Sequence, residues 1–186
     1  MTVKSILLLI LGGVLANNYA LTQFLGVSPF LGFSRKSDKI LGLGLAVTLV
    51  TVLSAAILWP VQTFVLEALN LGHLQIMVSL LVIVGVVALV DLLAAKVLHQ
   101  PLRTYAPLIA LNSAVLGAVL NNATAGYNYL ESLAAALGVG LGFLLAMLVM
   151  SGLREKINER HVPAPFRGLP IALLAASIVS MALMAF

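Results

Sequence analysis

The sequence predicts an all-α integral membrane protein of six transmembrane helices, arranged as two inverted three-helix repeats in which helices 1 and 4 are broken. Three observations predict it: the scarcity of charge, the length of the apolar runs, and the one-sided placement of the basic residues. Charged residues make up 9% of the 186 and hydrophobic ones 62%, with a mean hydropathy of +1.15. Soluble domains use roughly 25% charged residues and have nowhere to bury so much apolar surface.

Crossing a hydrocarbon core of ~30 Å takes about 20 apolar residues of helix. Residues 40–59 carry no charge, 74–98 carry only Asp91 and Lys96 near their end, and 132–153 are again uncharged. The uncharged run 169–186 has 18 residues, enough to span with little tilt. Two further runs, 5–33 and 105–120, are apolar but interrupted, by Asn17, Asn18 and Gln23 in the first and by Asn112 and Ser113 in the second. These read as broken spans. Lys4 ahead of an apolar stretch has the form of a secretion signal, but the apolar character continues through Phe33 with no small-residue cleavage site, so the segment is expected to be retained.

Six spans sort the basic residues onto two sides. Arg35, Lys36, Lys39, Lys96, Arg103, Arg154, Lys156, Arg160 and Arg167 fall in the loops after spans one, three and five, and Lys4 alone falls on the other side. By the positive-inside rule the nine face the cytoplasm, which places both termini outside the cell (inner or plasma) membrane. Dropping one span would scatter the charges over both sides. The net charge of +4 and the pI near 9.7 follow from these loops, so no nucleic-acid surface is needed to explain them. Trp59, Tyr127 and Tyr129 at the outer boundary and Tyr105 at the inner one suit interfacial anchoring.

Catalytic chemistry is hard to place. The chain has no cysteine, which excludes disulfides, thiolate metal sites and cysteine nucleophiles. His73, His99 and His161 lie on separate segments without metal-ligand spacing. No nucleophile elbow, phosphate loop or dinucleotide fingerprint is present. No catalytic residue is therefore expected in this chain.

The broken spans share a Ser-x-x-Leu-Gly pattern, Ser28-Pro29-Phe30-Leu31-Gly32 and Ser113-Ala114-Val115-Leu116-Gly117, at corresponding places in a first half (1–98) and a second (99–186). Each is followed by a glycine-punctuated span, with Gly42-Leu43-Gly44 and Gly138-Val139-Gly140-Leu141-Gly142. Three spans per half invert the second copy, an architecture that brings half-helix ends to the midplane where ions or cofactors can bind. Asn17, Asn18 and Asn112 supply hydrogen bonds there, either around a central site or as glue between helices. Gly138 and Gly142 form a small-xxx-small face for close helix packing. Asp91 is an intramembrane acid, open to an ion-path role or to pairing with Lys96 or Arg103. The run Arg154, Glu155, Lys156, Glu159, Arg160, His161 reads as a solvated helix end or a docking surface for soluble subunits.

The stretches Asn17-Asn18, Phe24-Leu25-Gly26-Val27-Ser28-Pro29-Phe30, Asn112-Ser113-Ala114-Val115-Leu116-Gly117, Leu153-Arg154-Glu155-Lys156 and Val162-Pro163-Ala164-Pro165-Phe166-Arg167-Gly168 resemble, in order and over essentially the whole chain, the A-type component of the Rnf electron transport complex. The D-type and E-type components of the Na⁺-translocating NADH:quinone reductase are related. The resemblance implies a membrane subunit that pairs with a homologous partner of the Rnf E type and with other Rnf subunits. The complex passes electrons between ferredoxin and NAD and couples them to Na⁺ or H⁺ translocation. It also implies a [2Fe–2S] cluster shared with the partner, to which each broken helix gives one cysteine. The matching positions here are Ser28 and Ser113, and a serine hydroxyl is poorly suited to ligate such a cluster. The alternative is a divergent cysteine-free paralogue, acting as a non-redox transporter or a scaffold subunit.

Overall fold

In the computed structural model of the chain, residues 3–26, 37–97, 106–157 and 162–183 are described. These form seven α-helices and no strands: α1 (Val3–Leu11), α2 (Ser37–Val61), α3 (Gln75–Val97), α4 (Ala106–Ala110), α5 (Ser113–Thr124), α6 (Tyr129–Lys156) and α7 (Leu169–Leu183). Four segments are long and apolar enough to cross a membrane: Ile40–Glu67, Gly72–Ala95, Ala106–Thr124 and Tyr129–Lys156. The first and last expected spans are apolar helices too, but shorter, Lys4–Ala16 and Pro170–Ala182. The first is short because its helix stops at Asn17 and the chain continues inward as a turn.

Two boundaries differ from expectation for identifiable reasons. Helix α6 starts three residues before position 132, because the Asn128 N–H donates to Glu131 Oε2 at 2.9 Å, one arm of a capping box. Helix α2 runs past Trp59 and through Pro60, continuing as a π-helical turn over Gln62–Glu67. Proline removes one i→i−4 bond, and a wider turn just beyond it lets the helix go on rather than end.

Packing is organised around α6. A Cβ added to Gly138 would lie 2.9 Å from the Ile10 carbonyl oxygen, and one added to Gly142 would lie 2.5 Å from that of Gly13. These two glycines therefore let α1 and its π-helical extension (Gly12–Ala16) lie directly on α6, as the small-residue spacing predicts. Contacts advance together along both helices, so α1 and α6 run parallel.

Helices α2 and α6 run antiparallel. Gly44 faces Leu144 and Gly140 faces Thr48, while the Trp59 and Tyr129 rings meet edge to face at 5.4 Å. Each helix offers a glycine to a side chain of the other, a self-complementary contact of the kind a local twofold produces. The Trp59 indole N–H also donates to the Tyr127 carbonyl at 2.8 Å, joining the end of α2 to the α5–α6 turn. It follows that Lys39, Lys96, Arg154 and Lys156 lie at the opposite end of the bundle, while Lys4 shares the end of Trp59. Span one thus runs from the Trp59 end inward and span four runs back toward it, the inversion the sequence predicts. Arg35, Lys36, Arg103 and Arg160 lie outside the described residues.

The outward faces are apolar, for example Leu41, Leu45, Leu49, Leu53 and Ile57 at i+4 spacing on α2. A contiguous exposed apolar surface of this kind suits lipid contact.

Candidate functional site

The first break begins where α1 widens. A π-helical turn over Gly12–Ala16 ends at Asn17, whose N–H donates to the Gly12 carbonyl at 2.6 Å. Asn17 itself is exposed, whereas Asn18 is fully buried. The Asn18 side chain replaces the helical bonds that the break removes. Its Nδ2 donates to the Val14 carbonyl at 3.0 Å and to the Gly142 carbonyl of α6 at 2.8 Å. Its Oδ1 accepts the N–H groups of Ala20 and Leu21 at 3.1 and 3.3 Å. Thr22 follows, its hydroxyl donating to the Asn18 carbonyl at 2.8 Å. Backbone polar groups at membrane depth must be satisfied by protein, and one amide here satisfies four of them.

The second break is much tighter. Helix α4 ends at Ala110, and Asn112 caps α5 by accepting the Ala114 N–H at 3.0 Å on its Oδ1. Its Nδ2 is buried and finds no hydrogen-bond partner among the described residues. Leu111 and Ser113, on either side, are exposed.

The two breaks touch. Phe24 and Gly26 both take positive φ, 54° and 75°, which folds residues 17–26 back onto the start of α5. The Gly26 N–H then donates to Ser113 Oγ at 2.7 Å. A Cβ at Gly26 would run into Asn112 Oδ1 and the Phe143 ring, so glycine is required there for space as well as for conformation. Gly26 stands in one of the stretches that carry the resemblance, but nothing in the sequence marks it as a contact beyond its being a lone glycine inside an apolar run. Ser28 lies outside the described residues.

Asp91 is half-buried, on the i+4 row of α3 that also carries the buried Ser79, Ile83 and Val87. Helix α3 packs against α2 and both halves of the broken fourth span. Asp91 Oδ1 is buried with no hydrogen-bond partner among the described residues. Arg103, one partner expected for it, is outside those residues. The structure thus brings Asn18, Asn112 and Ser113 into one network through Gly26 and α6, and leaves the outward Asn17 at its edge.

The donors at the breaks are amide, carbonyl and hydroxyl groups. A [2Fe–2S] cluster takes thiolates, of which this chain has none, and Ser113 Oγ is engaged by the Gly26 amide. No group of three or more His, Asp or Glu that could hold a metal ion occurs among the described residues. These residues do not fit the cluster.

The chain matches the family described as "Rnf-Nqr subunit, membrane protein" over residues 6–186. It is 43% identical to the A-type component of the ion-translocating oxidoreductase complex of Syntrophotalea carbinolica, covering 98% of this chain and 96% of that protein. It is 42% identical to the component of the same name from Escherichia coli, over 97% of this chain and 95% of the relative. Identity is 38% to the A-type component of the Na(+)-translocating ferredoxin:NAD(+) oxidoreductase complex of Acetobacterium woodii, over 98% of this chain and 96% of that protein.

Proposed function

We propose that this chain, which belongs to the Rnf-Nqr family of membrane subunits, is the A-type membrane component of an ion-translocating electron transport complex of the Rnf kind. The observation that carries this reading is similarity over nearly the full length of relatives named as the A-type component of such complexes. The complex moves electrons between ferredoxin and NAD and couples that flow to Na⁺ or H⁺ translocation across the cell membrane. The chain works beside a homologous E-type membrane partner, with its two repeats over about 1–98 and 99–186 and both termini outside.

In this reading the ion path runs past the breaks. Asn17, Asn18 and Asn112 line the midplane, and Asp91 supplies the acid. The buried Nδ2 of Asn112 and Oδ1 of Asp91 both lack partners among the described residues, and buried polar atoms left unpaired are costly unless something else engages them in the assembly. Ser28 and Ser113 stand at the cluster positions without ligating it, so no electron step is routed through this chain. That absence of thiolates favours a second reading, a cysteine-free paralogue serving as a non-redox transporter or scaffold subunit.

Purifying the assembly through a tag on this chain, from its native membrane, separates the two. Co-purification of flavin-carrying, ferredoxin-type and NADH-binding subunits, with electron-driven ion uptake after reconstitution, is the expected result. Recovery of this chain alone would favour the second reading, and iron bound by it would overturn the exclusion at Ser28 and Ser113.

A further inference from the structure

We propose that the end of the bundle opposite the cationic loops holds a hydrated vestibule that binds a small monovalent hard cation of the Na⁺ type. This deepens the reading of the chain as part of an ion-translocating complex, and rests on it. A cavity of about 200 Å³ opens between α2, α3, α5 and α6 and is lined by Gln62, Thr63, Glu67, Ser79, Asn122 and Ser132 among others. It has room for several waters at roughly 30 Å³ each. Among the described residues its lining contains no Lys, Arg or His, and Glu67 is the one charged residue there.

Buried polar side chains build the inner wall. Ser79 and Ser132 are each 2% exposed and Asn122 7%. Asn122 Nδ2 donates to the Ser132 carbonyl at 3.0 Å and to Ser132 Oγ at 2.9 Å. That ties the amide nitrogen to Ser132 and leaves Asn122 Oδ1 without a donor among the described residues. Ser79 Oγ is likewise free of any hydrogen bond among them. Unclaimed hydroxyl and carbonyl oxygens that line the same cavity as a carboxylate are of the ligand type that hard cations take.

Ser54, next to the lining residue Ala55, has a fully buried Oγ with no partner among the described residues. Below it on α2 come the hydroxyls of Thr51 and Thr48, which donate to the carbonyls four residues earlier and keep oxygen lone pairs to offer. Thr48 sits against Gly140, two residues from the Gly142 carbonyl that Asn18 holds. The three hydroxyls step ~9 Å along α2 at 1.5 Å per residue, from the cavity floor toward the breaks.

Because this chain has no cysteine, thiol labelling read on this chain alone tests the vestibule in the intact complex. Ser79→Cys and Ser132→Cys variants, each with Asn70→Cys as a control on the exposed loop at the same end, are treated with a membrane-impermeant cationic thiol reagent in oriented vesicles. The two cavity positions are expected to label from the outer face only. Na⁺ in place of a bulky organic cation should slow them about threefold once it exceeds twice its Kd, with no effect on Asn70→Cys. Ser132→Cys serves should Ser79→Cys fail to assemble. Outer labelling of Asn70→Cys with unreactive cavity positions, or with labelling that Na⁺ does not slow, overturns the vestibule. Inner labelling of Asn70→Cys overturns the orientation, and loss of co-purifying subunits overturns the functional reading.

Discussion

The two helix breaks solve one problem in opposite ways. At the first, the buried Asn18 amide accepts two backbone N–H groups and donates to two carbonyls, one of them on α6, and the chain wanders through residues 17–26 before the described segment ends. At the second, the interruption is two residues long, Asn112 makes a single capping bond, and its amide nitrogen stays unpaired among the described residues, between the exposed Leu111 and Ser113. One break is closed upon itself. The other keeps a buried amide nitrogen without a partner among the described residues, under the turn that brings Gly26 onto Asn112 and Ser113. The same residue type thus serves as a lock in one repeat and as an unfinished contact in the other.

Substitutions that separate the two breaks should follow this difference. Asn18→Ala strands the N–H groups of Ala20 and Leu21 and cuts the tie to α6, and is expected to destabilise the chain by about 2–4 kcal/mol in thermal unfolding in detergent. An effect no larger than that of Asn112→Ala would erase the distinction. Gly26→Ala forces a side chain into positive φ and against Asn112, with an expected loss of about 1–3 kcal/mol by the same assay. Ser113→Ala removes the acceptor of the Gly26 N–H and should cost about 1 kcal/mol, while leaving α5 capped. Asn112→Ala is expected to be the mildest, below about 1 kcal/mol, because the lost cap is offset by deleting a buried amide nitrogen that has no partner among the described residues. Its larger consequence should be weaker retention of partner subunits on a sizing column.

Most of the fold was legible because apolar length and charge placement are direct consequences of the bilayer. The interruptions at Asn17, Asn18 and Asn112, the Gly138–Gly142 contact and the inverted sense of the halves all follow from the residues. What the residues did not announce was conformational or long-range. The extension of α2 through Pro60 depends on a π-helical turn that hydropathy does not register. The outward position of Asn17 beside a buried Asn18 depends on the helix widening one turn earlier. Gly26 acquires its role only from what packs on it, Asn112 and Phe143, which lie 86 and 117 residues away in the chain. The polar cavity draws on four helices, none of which is unusual by itself.

The folded-back turn of the first break, packed against the helix that follows the second, joins the two broken spans to one another. Leu25 and Gly117 report on it directly, since a Cβ at Gly117 would lie 2.9 Å from Leu25 Cδ1. In this cysteine-free chain, Leu25→Cys combined with Gly117→Cys should be joined by a short bifunctional thiol reagent in native membranes, seen as one fragment after cleavage between the repeats. Two separate fragments, with both thiols still reactive after denaturation, would contradict it.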